Sequence, residues 1–312
     1  MENEMIMENV QPETPEVLPV EPAPTAKEKK KLPPQLIGNI IITAALTLGA
    51  VIMLFPFLWM ILATLKPAEE IYTTFFPNKW TLRSFSEMWT ACSRLMKGGI
   101  IRGFFNSILT TVPVVLVQIV VSAFAAYAFA KLHFVGKNII FLVLLSTMMI
   151  PFSVIMLPQA WLYGKMGLTA TGPLAVIIPK FFGSIGTVFF LRAFFYSIPD
   201  SITEAARLDG AGYTRTFVSV LLPLVMPALA TQAILSFIGN WNDFLGPLLF
   251  INDRNWYTLP LLVNRLNGQG GSYLEVPRVL AASLISLVPI VIVFAVFQKK
   301  IIGSIVFSAV KG

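Results

Sequence analysis

The chain has 312 residues, of which 56% are hydrophobic and 12% are charged. Soluble domains average roughly 45–50% apolar and about 25% charged residues, so this composition excludes an ordinary soluble protein and predicts an all-α membrane protein. The net charge of +7 is explained better by basic loops at an anionic lipid surface than by binding to nucleic acid. The single cysteine excludes an internal disulfide, and the single histidine argues against a zinc site or a histidine-based catalytic site.

Residues 1–35 differ in composition from the rest of the chain. The first 26 residues are rich in Glu, Pro and Val, and four lysines follow within residues 27–31. They lack a positive segment followed by an apolar core and a cleavage site, so we expect no cleavable signal peptide. They predict a disordered cytoplasmic tail that ends in a basic anchor at the membrane, followed by a transmembrane domain over residues 36–312.

Six apolar segments are long enough to cross a bilayer, for which roughly 20 helical residues suffice. They lie at residues 36–65, 104–130, 138–158, 173–195, 221–250 and 279–297. The lysines before the first segment, together with Lys299 and Lys300 after the last, predict that both termini are cytoplasmic. Prolines such as Pro151, Pro223 and Pro227 allow bends within the spans.

A polar segment at 198–220 separates the fourth span from the fifth. Ser201 followed by Glu204 is a capping-box pattern, which predicts that a helix begins at the serine. Gly210 and Gly212 can adopt the left-handed conformation that ends a helix. The segment is too polar for hydrocarbon and therefore predicts a short helix in water, which could be an ordinary solvated connection or a docking element.

The same segment resembles the signature loop of permease subunits of bacterial ABC importers, specifically the carbohydrate-uptake branch related to the maltose permeases. The matching positions are Glu204, Ala205, Ala206, Asp209, Gly210, Ala211, Phe217, Leu222 and Pro223. Further matches lie at residues 240–244 with Pro247 and at 309–312, whereas Val220 stands where isoleucine is usual and residues 303–307 depart from the family pattern. The resemblance covers residues 36–312.

The resemblance implies a type I importer permease with six transmembrane helices and a cytoplasmic coupling helix between helices 4 and 5, in the bacterial inner membrane. It implies docking of this helix on a cytoplasmic ABC ATPase dimer. The implied coupling residues are Glu204, Ala205, Ala206, Asp209, Gly210, Leu222 and Pro223. A second homologous permease subunit and an extracellular or periplasmic solute-binding protein complete the implied complex, which imports a carbohydrate.

The chain lacks a phosphate-binding loop of its own, because neither Gly136-Lys137 nor Gly164-Lys165 has the upstream glycine or the following Ser or Thr. We therefore expect no catalytic residue, cofactor or metal in this chain. An ion-coupled secondary carrier is the alternative class, although it would want acidic residues near the middle of the membrane.

Four polar residues in the fifth predicted span share one helix face. Gln232, Ser236, Asn240 and Asp243 fall within an arc of roughly 80° at about 100° per residue. They predict either a sugar pathway, with Trp241 offering a stacking face, or hydrogen bonds that hold helices together. Asp243 could also lie at the outer end of the span, where a charge is tolerated.

Overall fold

The computed structural model describes residues 34–170, 172–268 and 275–309, and describes side chains for 38–170, 172–268 and 275–298. Residues 1–33 of the predicted tail at 1–35 and the C-terminal residues 310–312 lie outside the described residues. All regular secondary structure in the described residues is helical. The chain divides into two units at residues 1–54 and 55–312.

The helices are numbered here in chain order. They are α1 (Pro34–Thr64), α2 (Arg83–Leu95), α3 (Gly99–Lys131), α4 (Lys137–Thr147), α5 (Phe152–Lys165), α6 (Leu174–Ile177), α7 (Ile185–Tyr196), α8 (Asp200–Leu208), α9 (Tyr213–Arg215), α10 (Leu222–Leu224), α11 (Met226–Trp241), α12 (Leu245–Phe250), α13 (Leu259–Asn267) and α14 (Val276–Ala309). A short 3₁₀ segment, Ile178–Phe182, follows α6, and a π-helical turn, Thr216–Leu221, follows α9.

Four helical stretches of the described chain are long and apolar enough to cross a membrane without a break. They are Gly38–Thr64, Gly99–Lys131, Leu174–Tyr196 and Val276–Gln298. Two further pairs of helices pass the same test only together. One pair, Lys137–Thr147 with Phe152–Lys165, bends by 95°, and the other, Tyr213–Leu224 with Met226–Trp241, bends by 80°. The described residues therefore contain four to six candidate spans.

Both bent pairs correct the predicted path of the chain. The predicted continuous span at 138–158 is interrupted, because α4 ends at Thr147 and Pro151 is extended at ψ 142°. A proline disfavours helical geometry in the residue before it, which places the break there. The predicted span at 221–250 is divided twice, by the bend before Met226 and by a second break after Trp241.

In the first unit, the described part of α1 carries a nearly continuous apolar surface. Its large side chains from Ile40 to Leu54 are exposed. An isolated soluble protein would bury such a surface, so this exposure is the pattern of a helix whose neighbours are lipid or another protein.

The second unit is built around α3, which packs along α7 and α11. One buried cluster joins α2, α11 and α13 through residues such as Cys92, Trp241 and Leu262. A second cluster forms where one half of α3 meets α7 and the π-helical turn, and it includes Tyr127 and Phe195. Because each cluster contains residues of α3, this helix links the two ends of the unit.

Buried polar groups fix the segment before α13 to α3. The Asn106 amide donates to the backbone oxygens of Asn255 and Tyr257 at 2.9 and 3.0 Å. The Ser107 hydroxyl oxygen accepts from the Leu259 amide at 2.7 Å. Since buried polar groups are costly without partners, these three bonds specify where the segment lies.

Candidate functional site

Helix α8 occupies the polar segment in which the sequence predicted a helix. It begins at Asp200, directly after Pro199, and no side chain caps its first turn. The predicted capping box is therefore wrong: the helix starts one residue before Ser201, which places both Ser201 and Glu204 inside it. Asp200 instead contributes a negative charge to the first turn, where the helix dipole favours one.

The start of α8 is held by a lysine from the end of α3. Lys131 Nζ donates to the carbonyl oxygen of Ile198 and to Oδ1 of Asp200, each at 2.6 Å. The lysine side chain is only 5% exposed, whereas that of Asp200 is 77% exposed. The hydrogen bond and charge of Lys131 hold the pKa of the Asp200 carboxyl below its usual value.

The end of α8 is a Schellman motif. The Ala211 amide donates to the Ala206 carbonyl at 2.9 Å, and the Gly210 amide donates to the Arg207 carbonyl at 3.0 Å. Gly210 has φ +80°, as the sequence predicted, and a Cβ at this position would have nothing within 4 Å. Gly212 is extended at φ −70° and ψ 169°, so the expectation of a left-handed conformation there is wrong.

The segment after α8 is anchored by Phe217, which is 2% exposed. Its ring lies 4.5 Å from that of Phe124, 5.1 Å from Tyr127 and 6.1 Å from Phe195. These rings belong to α3 and α7, so the π-helical turn is fixed to both helices. Aromatic pairs at such distances add about 0.5–1.5 kcal/mol each beyond their buried area.

Helix α8 buries one face and exposes the other. Thr203 and Ala206 are buried. The opposite face presents Glu204, Ala205 and Leu208, and Leu208 is 89% exposed. Of the remaining predicted coupling residues, Asp209, Gly210 and Pro223 are exposed and Leu222 is half-buried. The result is a helix held at both ends and along one side, with a free face that combines a carboxylate and an apolar side chain.

The predicted polar stripe on α11 divides into residues with different surroundings. Gln232 is buried and accepts a hydrogen bond from the Thr187 hydroxyl of α7 at 3.3 Å. The Asn240 amide donates to the Ser236 backbone oxygen of its own helix at 2.8 Å. Gln232 therefore joins two helices, whereas Ser236 and Asn240 remain half-buried.

Trp241 does not offer the expected stacking face. Its side chain is 1% exposed, and its indole nitrogen donates to the Ser286 carbonyl at 3.0 Å. Its ring packs against those of Phe104 and Phe237, each at 5.7 Å between centroids. The residue is part of the buried cluster. Because its ring is enclosed on these sides, it cannot also contact a solute.

Asp243 forms an ion pair that the sequence did not predict. Lys180, from the 3₁₀ segment, approaches Asp243 Oδ2 at 2.8 Å, and both side chains are mostly buried. The other carboxylate oxygen accepts from the Gly246 amide at 3.0 Å. The pair lines a cavity of about 380 Å³, here called the Lys180 cavity, together with Gln159, Tyr163 and Phe250. Lys180 is a lysine within an apolar span, and that was its only signal in the sequence.

A second cavity, of about 410 Å³, lies between the end of α11, α13 and α14. Its polar lining consists of Asn242, Asn264, Asn267, Ser283 and Ser286, and Phe244 adds an aromatic ring. We call it the asparagine groove. These residues were not predicted from the sequence, although Asn264 with Asn267 and Ser283 with Ser286 each recur at a spacing of three on an apolar helix. In the described part of the chain, no group of three or more His, Cys, Asp or Glu residues could hold a metal ion.

Several helices long enough to cross a membrane, with polar side chains and cavities between them, are the features of a multi-pass membrane protein. The profile of the family described as "binding-protein-dependent transport system inner membrane component" matches residues 118–301, and the chain belongs to this family. It is thus an inner membrane transport component and not an enzyme.

Similar proteins extend over most of the chain. The arabinooligosaccharides transport system permease protein AraQ of Halalkalibacterium halodurans is 34% identical, over 91% of this chain and 100% of its own. The diacetylchitobiose uptake system permease protein NgcG of Streptomyces coelicolor is 31% identical, over 84% of this chain and 85% of its own. The multiple sugar-binding transport system permease protein MsmG of Streptococcus mutans is 32% identical, over 85% and 95% respectively.

The fold matches a solved structure of a bacterial ABC transporter involved in the import of the acidic polysaccharide alginate. The TM-score is 0.63 at 21% sequence identity, and the match covers 85% of this chain and 96% of that one. The fold is therefore that of an ABC-importer permease.

Proposed function

We propose that this chain is one of two membrane-spanning subunits of an ATP-driven importer that carries a sugar or oligosaccharide into the cell. The observation that carries the proposal is its similarity, over nearly the whole chain, to permeases named for arabinooligosaccharides, diacetylchitobiose and multiple sugars. In the proposed complex, a solute-binding protein outside the membrane delivers the sugar to this subunit and to a second, homologous permease.

The free face of α8 is the proposed docking surface for the cytoplasmic ABC ATPase dimer. Glu204 supplies a charge and Leu208 an apolar side chain, while Gly210 permits the turn beside them. Closure of the ATPases on ATP would push α8, and the links through Lys131 and Phe217 would pass this displacement to α3 and α7. A rigid element of this kind can shift the balance between two states of a helix bundle.

The proposed topology has both termini in the cytoplasm and six crossings, with each bent pair counted as one. This arrangement puts α8 on the cytoplasmic side, where an ATPase can reach it. The proposed solute pathway includes Ser236, Asn240 and Asp243, and Lys180 joins them through its ion pair. Gln232 supports the pathway through its bond to α7.

Reconstitution of the complete transporter into proteoliposomes tests the proposal. With ATP supplied at the ATPase face, we expect uptake of arabinotriose, diacetylchitobiose or raffinose that depends on the binding protein and ceases in a Glu204→Lys variant. Uptake driven by an ion gradient without ATP would support the ion-coupled carrier instead. ATP-dependent uptake of none of these sugars would overturn the proposed substrate class.

A further inference from the structure

The asparagine groove has a lining that the family assignment does not explain. Asn242, Asn264 and Asn267 are exposed, and none of their side-chain amides has a hydrogen-bond partner among the described residues. The Ser283 hydroxyl donates to the Val279 carbonyl at 2.9 Å, which leaves its oxygen free to accept. The groove therefore presents several polar groups that the folded chain itself does not use.

These groups share one chemical property. An asparagine amide offers two donors and one acceptor oxygen, so it can pair with a hydroxyl in either direction. The residues that line the groove carry no charged side chain. Arg265, on the same helix as Asn264, does not line it and has its guanidinium 5.8 Å from the ring of Tyr257. A neutral ligand with many hydroxyl groups matches this lining better than an ion does.

The shape of the groove also fits an extended solute. Val279, Ser283, Ser286 and Ile290 are spaced along one face of α14, and the eleven-residue separation of the first and last corresponds to about 16 Å at 1.5 Å per residue. Phe244 is 41% exposed and offers an apolar face for the C–H side of a sugar ring. The volume of about 410 Å³ lies within the range of about 300–1,000 Å³ found for small-molecule sites.

We propose that the asparagine groove is a carbohydrate-binding site for neutral oligosaccharides, separate from the Lys180 cavity. This inference rests on the proposed function and its topology, in which the start of α14 faces outside. The groove holds a sugar chain at the outer end of the pathway through its amides and the two serines. The two sites share no lining residue. Even the consecutive residues Asn242 and Asp243 line different sites.

Cysteine protection tests this site directly. The natural thiol, Cys92, is fully buried, and burial raises its pKa to about 11, so it reacts poorly and can be replaced by serine. In that background, Ser283→Cys and Asn267→Cys should react with a membrane-impermeant maleimide from outside. Saturating arabinotriose, diacetylchitobiose or raffinose, whichever is transported, should slow labelling at least threefold. The control is Asn78→Cys, an exposed asparagine outside the groove, at which labelling should stay constant.

Transport kinetics give a second measurement in the complete transporter. Asn264→Leu and Asn267→Leu should raise the KM for the transported probe sugar several-fold, while basal ATP hydrolysis and the amount of assembled complex remain unchanged. Asn78→Leu should leave the KM unaltered. Unprotected cysteines together with an unchanged KM, in a transporter that still imports the sugar, would overturn the groove proposal and leave the proposed function standing. Absence of sugar import in the natural protein would instead overturn the proposed function.

Discussion

Lys131 and Asp200 lie 69 residues apart in the chain, yet Nζ of the lysine meets Oδ1 of the aspartate at 2.6 Å. The same ammonium also donates to the carbonyl of Ile198. A nearly buried lysine at the end of the 33-residue helix α3 thus fixes the first turn of α8. The aspartate is open to solvent, and the solvent screens its charge. The strength of this link therefore depends mainly on the lysine and its hydrogen bond to the Ile198 carbonyl.

We expect Lys131→Met to impair coupling more than Asp200→Asn does. The methionine loses the charged hydrogen bond to the Ile198 carbonyl, worth about 1.5–3 kcal/mol, whereas asparagine leaves that bond intact. Reconstituted Lys131→Met should hydrolyse ATP but import less sugar per ATP. The exposed pair of Arg83 and Glu87 provides a control, since Arg83→Met should change neither quantity. If Lys131→Met and Asp200→Asn both import as much sugar per ATP as the natural protein, Lys131 does not have this role.

The ion pair also predicts how stability depends on pH. The pKa of Asp200 is lowered in the folded protein, so its contribution is present above the unfolded value of about 3.9 and is lost as pH falls through the lowered folded value. The melting temperature of the natural protein should therefore exceed that of Asp200→Asn at neutral pH, and the two should converge in strong acid. A difference that grows as the pH falls would contradict this assignment.

Substitutions at Gly210 distinguish strain in the turn that ends α8 from an effect on the docking of a partner. Alanine at φ +80° is strained by about 1–2 kcal/mol, but its Cβ meets open space within this chain. We expect Gly210→Ala to insert and assemble with reduced uptake, and Gly210→Asp to insert but not transport. Gly212→Ala, at an ordinary φ and also in open space, is the matched control. Natural levels of uptake by Gly210→Asp would refute the docking role of this turn.

Leu208 should contribute to partner binding without contributing to the stability of the subunit. Since its side chain is 89% exposed, Leu208→Ser removes little buried surface from the chain itself. We expect an unchanged melting temperature for the purified permease and loss of ATPase co-purification in detergent. Val135, another highly exposed aliphatic residue on a different loop, is the control through Val135→Ser. If both variants retain the ATPase equally, Leu208 lies outside the interface.

Trp241 should act on stability and not on sugar affinity. Trp241→Phe removes the hydrogen bond from the indole to the Ser286 carbonyl, which contributes about 0.5–1.5 kcal/mol. The KM for the transported sugar should remain that of the natural protein, because the ring is enclosed in the core. A raised KM with unchanged thermal stability would restore the stacking role that the sequence suggested.

Local sequence signals were reliable where local chemistry decides the structure. Apolar stretches predicted the four unbroken candidate spans, and Gly210 predicted the end of α8 because few other residues adopt its conformation. The capping box failed because Asp200 and Lys131 offer the first turn of α8 a competing arrangement. That arrangement depends on a lysine 69 residues away, which no local pattern contains.

The residues of the proposed solute pathway were harder to predict for the same reason. A polar stripe on α11 does not reveal which neighbour each residue meets, so Gln232 and Trp241 proved to be packed between helices. Lys180 meets Asp243 in one cavity, and the serines of α14 line the other, so each contact joins residues that are far apart in the chain. The breaks in the spans are set by tertiary packing as well as by proline, which explains why the break after Trp241 was missed.

The chain between α11 and α12 places Asn242 and Asp243 against two different cavities. These consecutive residues share one peptide bond, and that bond is planar and stiff. Rotation about the bonds on either side of that peptide can still move one side chain without the other. A displacement of the whole junction, however, carries a wall residue of each cavity with it.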